Sequence, residues 1–284
     1  MARGRWYRID GQCGTDEKRV TGPMESSPSQ ESSPTPIPYG QIPDARTGYG
    51  KATGVWAEAG IHEVHDDWWI ALSATPYVDY NLALLHGDTA VAAAPEVIER
   101  VTAAKVPAVI MLAGAGMAAA HALQDADWVC TGALPFMARD GGPADHHPDA
   151  RELVRAELPE ARRLAGRAFG VPDEVGSIVF ADNALGRAGT RVWGVFDEGE
   201  LRCCSVSQWE GGYSAGWGLS TDPAFQRSGY ARRLLRASAA HRLESGPPIG
   251  LLIATPEGQR LYEQEGYVTL EHWQIWSKRR WVLP

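Results

Sequence analysis

The six residues Gln226-Arg227-Ser228-Gly229-Tyr230-Ala231 carry the clearest chemical potential in this chain. A strand-like run, Trp217 to Thr221, precedes them, and an amphipathic helix follows. In that helix Ala231, Leu235, Ala239 and Leu243 recur every four residues as a core-facing stripe, with Arg232, Arg233, Arg236 and Arg242 largely off it. The first turn of a helix leaves backbone N–H groups without partners and carries the positive end of the dipole. Gly229 lets the backbone approach a bound group, Ala231 leaves room, and Arg227, Arg232 and Arg236 add charge. The chemistry this suits is the binding of a phosphate or pyrophosphate.

Gln-x-x-Gly-x-Ala resembles the Gln/Arg-x-x-Gly-x-Gly/Ala signature of the GCN5-related N-acetyltransferases (GNAT). Trp217-Gly218-Leu219-Ser220-Thr221-Asp222-Pro223 is similar to that family's central strand and its exit. About thirty residues past the signature, Leu261-Tyr262-Glu263-Gln264-Glu265-Gly266-Tyr267 resembles its Leu-Tyr-x-x-x-Gly-Phe segment, with Tyr267 for phenylalanine. The resemblance covers roughly residues 150–284. It implies an acyl-CoA N-acyltransferase fold of mixed α/β class, with acetyl-CoA as co-substrate and no metal. Its pyrophosphate would sit at Gln226, Arg227, Ser228, Gly229, Tyr230, Ala231 and Arg232, and its pantetheine arm against Leu219, Ser220 and Thr221. Tyr262 aligns with the tyrosine that gives its proton to the departing thiolate. Gly216 and Gly218 are where the family's strand bulge would fall.

The elements that must position these residues are legible on both sides of them. Two amphipathic helices, Arg151 to Glu157 and Pro159 to Phe169, lead into a strand at Val175 to Ala181. A hairpin follows, Thr190 to Phe196 and Leu201 to Trp209, turning at Asp197-Glu198-Gly199-Glu200. Tyr213 to Thr221 returns as the central strand, and Ile249 to Ala254 is a buried strand beyond the signature helix. Thr255 caps the next helix, with Pro256 at its first position, and Gly266 ends it before a last strand from Val268 to Trp276.

Upstream, residues 48–142 alternate strand and helix: Trp68 to Leu72, Tyr80 to Leu85, a helix from Pro95 to Ala104, Val106 to Leu112, a helix from Met117 to Gln124, and Trp128 to Thr131. This order, closing on Gly132-Ala133-Leu134-Pro135-Phe136-Met137-Ala138, resembles the degenerate N-terminal repeat of tandem acetyltransferases. Two GNAT-like domains are therefore expected, 48–142 and 150–284, the first shaping an acceptor site rather than holding coenzyme. Residues 1–47 are expected to be a disordered tail, since Glu25 to Pro38 is nearly all Ser, Pro, Glu and Gln.

The chain has 284 residues, 44% hydrophobic and 22% charged, with a net charge of −8. That balance is globular, offers no basic stripe to a nucleic acid, and mildly favours a cationic acceptor. No signal peptide opens it and no run is long enough to span a bilayer, so a cytoplasmic protein is expected, with no membrane partner. Cys13, Cys130, Cys203 and Cys204 form no Cys-x-x-Cys, and the adjacent pair points to opposite faces of a strand. A homodimer is left open.

Three other patterns invite chemistry. Gly114-Ala115-Gly116-Met117-Ala118-Ala119 fits a dinucleotide fingerprint but lacks its later acidic residue, so packing glycines are the stronger reading. His62-Glu63-Val64-His65 spaces two histidines at i and i+3 with no third ligand, and His146-His147 sits in a Gly- and Pro-rich linker. Acyl transfer to an amine needs a neutral amine, donors for the oxyanion and a proton for sulfur. Glu210, at a strand end, is the best-placed base, with a water chain an equal alternative. The acceptor is expected to be a small-molecule amine such as an antibiotic or metabolite; a protein amine would need an open groove. A coenzyme-binding sensor without transfer activity and a dinucleotide-dependent protein built on Gly114 and Gly116 are the contrasting readings.

Overall fold

The structure, a computed structural model, describes residues 37–57 and 60–282. In chain order its elements begin with α1 (Ile42–Ala52), β1 (Ile61–Val64), β2 (Trp68–Leu72), β3 (Asn81–Leu85), α2 (Ala90–Ala103), β4 (Val109–Leu112), α3 (Ala120–Asp125) and β5 (Trp128–Arg139). They continue with β6 (Ala150–Glu152), α4 (Leu158–Phe169), α5 (Asp173–Val179), β7 (Thr190–Asp197), β8 (Glu200–Glu210) and β9 (Tyr213–Thr221). The last are α6 (Tyr230–Ser245), β10 (Ile249–Ile253), α7 (Pro256–Gln264), β11 (Val268–Lys278) and the short α8 (Arg279–Val282).

All the strands join one 11-stranded sheet in the order β1-β2-β3-β4-β11-β5-β10-β9-β8-β7-β6. The order is nearly a palindrome. Each half has an antiparallel hairpin, then one parallel pair (β3·β4, β9·β10) joined through a helix. Each then sends its last long strand across the centre. β11 lies against β4 and β5 against β10, all antiparallel, so the halves have exchanged strands. Phe136 of β5 stacks on Trp273 of β11 at 4.4 Å, and both rings are fully buried. Removing such a ring from water contributes about 4–6 kcal/mol, so the sheet centre is core, not a loose junction.

Helices cover both faces, as alternating strand residues require. Trp69 and Ala71 of β2 belong to the core around α1, while Trp68, Ile70 and Leu72 pack under α2 and α3. In β8 the adjacent cysteines divide as expected: Cys204 faces the core around α4 and α5, Cys203 the one under α6.

Several expectations are corrected. Residues 37–47, assigned to the tail, are ordered: Ile37, Ile42 and Ala45 are buried and α1 begins at Ile42. The rest of that stretch, with Cys13, lies outside the described residues. α1 uses Gly48 and Gly50 to press on the sheet, where a Cβ would come within 2.4 Å of the Tyr213 and Trp69 rings. α2 starts five residues before Pro95, which lies inside the helix. Arg151 to Glu157 is not helical: Ala150–Glu152 pairs with β7, and a single turn follows in which Glu157 binds Arg151. Val175 to Ala181 is not a strand, because Asp173–Val179 forms α5, packed so close that a Cβ on Gly176 would meet the Arg162 carbonyl at 2.9 Å. In α6 the buried stripe is rotated from the expected one. Leu243 is exposed, while Arg242 is buried and donates to the Pro247 carbonyl at 3.1 Å.

Candidate active site

β9 pairs with its parallel neighbour β10 only from Tyr213 to Ala215. Beyond Ala215 the strands part, and the β10-facing edge of Gly216 to Thr221 carries backbone groups with no β10 partner. On its other edge β9 bulges. Cys204 pairs with Ser220 and Val206 with Trp217, so Gly218 and Leu219 oppose the single Ser205. Gly218 has φ of +62°, which glycine adopts without a side-chain penalty. Ser220 is buried and its hydroxyl donates to the Gly218 carbonyl at 2.9 Å, closing the bulge from inside.

The turn before α6 is equally unusual. Arg227 has φ of +64° and Gly229 φ of +84°. A left-handed arginine costs on the order of 1–3 kcal/mol, a strain that clusters at functional turns. Glycine is required at 229 for its positive φ rather than for clearance, since a Cβ there would touch nothing within 4 Å. Alternating left-handed residues fold successive N–H groups into a concave anion-binding nest. Among the described residues, the backbone–backbone hydrogen bond at this turn runs from Arg233 N–H to the Gly229 carbonyl, leaving the first-turn amides of α6 open.

The freed strand edge and this turn border one cavity of about 460 Å³, a volume typical of small-molecule sites. Leu219, Thr221, Gln226, Arg227, Ala231 and Tyr262 line it together. Ser228 and Gly229 lie exposed on the turn beside it. Tyr230 turns its ring into the core under α6, with its hydroxyl donating to Asp197, so only its backbone can serve a ligand. Arg232 is committed to Glu265 at 2.8 Å, and so is Arg236. Glu265 is fully buried and binds both. Arg227, by contrast, lines the cavity and makes no ion pair with a described residue.

Tyr262 sits on α7, whose first turn is capped by Thr255 Oγ1 accepting from Gly258 N–H at 3.0 Å. Its hydroxyl makes no hydrogen bond to a described residue, and burial raises its pKa above the ordinary 10.0, holding the proton on oxygen. Glu210, expected near the cleft, is instead exposed at the far end of β8, opposite Tyr213 in register and away from the cavity. Placement at a strand end did not say which end faces the ligand.

The opposite wall comes from the N-terminal half. Tyr49 of α1 accepts a hydrogen bond from Trp217 Nε1 at 2.7 Å, and Trp56 packs edge-on against Trp217 at 4.6 Å and Tyr80 at 5.9 Å. Among them lies Asp79, which no pattern in the sequence marks. Its carboxyl has no hydrogen bond or ion pair to a described residue and is pushed up to about 7 by burial among apolar groups.

The N-terminal half has the same elements, closed. β3 stays paired with β4 from Leu82↔Val109 to Leu85↔Leu112. The turn before α2 is filled by the chain's own Asp67, whose carboxylate accepts from Thr89 N–H at 3.0 Å and from its hydroxyl. A Cβ on Gly116 would sit 2.0 Å from the Leu85 carbonyl, and one on Gly114 would strike the Arg46 guanidinium, so these are packing glycines. Arg46 in turn binds Glu271 through two bonds of 2.7 and 2.6 Å. Among the described residues no cluster of three or more His, Cys, Asp or Glu is arranged to hold a metal, and no helix is long and apolar enough to cross a membrane.

Residues 188–269 match the family model described as an acetyltransferase (GNAT) domain. This segment is a GNAT domain. Acyl transfer is the general chemistry of that family, and the open turn and freed strand edge both lie within the match. The whole chain is similar in fold to a GCN5-related N-acetyltransferase from Kribbella flavida, with 15% identity and a TM-score of 0.60 over 84% of this chain and 94% of that one. It is also similar to one from Sphaerobacter thermophilus (13%, TM-score 0.53, 86% and 93%) and to a GNAT-family acetyltransferase from Colwellia psychrerythraea (12%, 0.51, 85% and 97%). A comparison with curated proteins gives no match. The GNAT fold is thus shared over most of the chain, including strands outside the matched segment.

Proposed function

We propose that this protein transfers an acetyl group from acetyl-CoA to the amine of a small molecule by direct attack in a ternary complex. What carries the reading is that the nest before α6, the freed edge of β9 and Tyr262 all border one cavity. The open amides of the turn and Arg227 suit the pyrophosphate. The edge from Gly216 to Thr221 offers N–H and C=O groups to the amides of the pantetheine arm, with Leu219 and Thr221 beside it. The co-substrate would supply the thioester carbonyl, to which the freed edge of β9 would offer a donor and Tyr262 a proton for the sulfur. Tyr262 fits the second task because its high pKa keeps the proton until the thiolate becomes basic.

A small acceptor is favoured because the cavity is walled on the far side by Tyr49, Trp56 and Tyr80, where a protein segment would need an open groove. The test is free-thiol release from acetyl-CoA across an amine panel, with acetyl-CoA affinity measured separately by calorimetry. Thiol release with small amines supports the proposal. Tight acetyl-CoA binding with no release on any amine would instead mark a coenzyme-binding sensor.

A further inference from the structure

The acceptor end of the cavity has its own chemistry, and it names a class of amine. We infer, resting on the acyl-transfer reading above, that the acceptor is a monocationic amine on a compact apolar or aromatic body, its ammonium held by Asp79. Among the described residues, three charged side chains line the cavity. Arg227 belongs to the turn before α6 and Glu257 to the first turn of α7, both on the side assigned to coenzyme. Asp79 alone comes from the opposite wall, on the short turn Val78–Tyr80 that leads into β3.

Its neighbours there are Trp56, Tyr80, Leu82, Val109 and Met111. One carboxylate set in an apolar wall satisfies one cation. A polyamine would bring further ammonium groups to an end where, among the described residues, Asp79 is the one carboxylate, and burying an unpaired charge is costly. An acceptor bearing a carboxylate or phosphate would meet no cation among the described residues at that end. The edge-to-face rings of Trp56 and Tyr80 offer π-faces to an alkylammonium or aryl group.

The step balances without an outside reagent. Asp79 takes one proton from the ammonium, and the freed lone pair forms the C–N bond at the thioester carbonyl. The C–S bond breaks and the sulfur leaves with the Tyr262 proton. The remaining excess proton on nitrogen returns to the tyrosinate through solvent, leaving amide, thiol and one proton to be released from Asp79. A carboxyl held near 7 is suited to that exchange at neutral pH. The other titratable groups on the cavity wall are Tyr49, Tyr80, Tyr262, Arg227 and Glu257.

The test uses the full chain and its Asp79→Asn variant with acetyl-CoA and three probes: 2-phenylethylamine, spermidine and β-alanine. The expected result is kcat/KM at least tenfold higher for 2-phenylethylamine than for the other two. Asp79→Asn should raise the KM for 2-phenylethylamine at least tenfold while acetyl-CoA affinity stays within twofold. Its melting temperature should match or exceed the parent's above pH 7, where the parent carries a buried charge, which verifies folding. A preference for spermidine or β-alanine, or an unchanged KM in the variant, overturns this inference and leaves acyl transfer standing. Absence of acetyl-CoA binding removes both.

Discussion

The two halves of this molecule run through the same sequence of strands and helices, and they differ most at two places. In the N-terminal half β3 and β4 stay zipped to their ends and Asp67 fills the turn that starts α2. In the C-terminal half β9 and β10 part after Ala215 and the turn before α6 is open. Each half sends an aspartate from its hairpin turn toward its helix. Asp67 reaches the backbone of Thr89, whereas Asp197 accepts from the Tyr230 hydroxyl and leaves the amides free. The turn before α2 is thus occupied by the chain's own carboxylate, and the turn before α6 is not. In the closed half Arg46 lies over Gly114, binds Glu271 and donates to the carbonyl of His86, whose buried ring has no hydrogen-bond partner among the described residues.

The comparison can be broken in four ways. The largest effect should come from Arg46→Met, which strands Glu271 without its bidentate partner. Breaking such a buried pair costs about 3–5 kcal/mol, to be seen in urea unfolding, with loss of the closed half's packing. Next, Gly229→Asp gives the open turn a carboxylate of its own. Acetyl-CoA affinity should fall at least ~100-fold, about 2.7 kcal/mol, by calorimetry. Tyr262→Phe should lower turnover by about 10- to 100-fold, within the range of a lost general acid, while acetyl-CoA affinity is unchanged. Smallest is Asp67→Ala, which removes the exposed hydrogen bonds from Thr89, worth about 1 kcal/mol, and should create no second coenzyme site, because β3 and β4 remain paired.

His86 adds a pH dependence to the closed half. Burial, and then the Arg46 charge, lower its pKa from 6.5 to about 4. The folded chain therefore binds fewer protons than the unfolded one between those values, and stability should decline as pH falls through that window. His86→Gln should flatten that part of a pH–stability curve.

Much of the open half was legible because its chemistry is local. A glycine at positive φ, a small residue at a helix start and a Thr-Pro cap announce themselves within six residues. The strand break, too, follows from glycines inside a strand run, and Gly218 is where the bulge falls. What stayed hidden depends on partners distant in sequence. Asp79 is an ordinary loop aspartate until Phe169 and Val175 close over the same cavity. The first six residues of α1 read as tail because they follow closely on the Ser-, Pro- and Glu-rich run that ends at Pro38, and only the rings of Tyr213 and Trp69 explain why glycine is needed at 48 and 50. Trp128–Arg139 reads as a short strand broken by Gly132 and Pro135, since nothing local shows that β11 and β10 will flank it. α5 was misread for the usual reason that a short apolar run carries no period.

Coenzyme binding in the proposed reaction depends on the open turn before α6. Titrating the full-length protein with acetyl-CoA in a calorimeter tests it most directly. One binding site per chain, weakened at least ~100-fold by Gly229→Asp and untouched by Asp67→Ala, is the result this structure predicts. No binding, or binding that Gly229→Asp leaves unchanged, would contradict it.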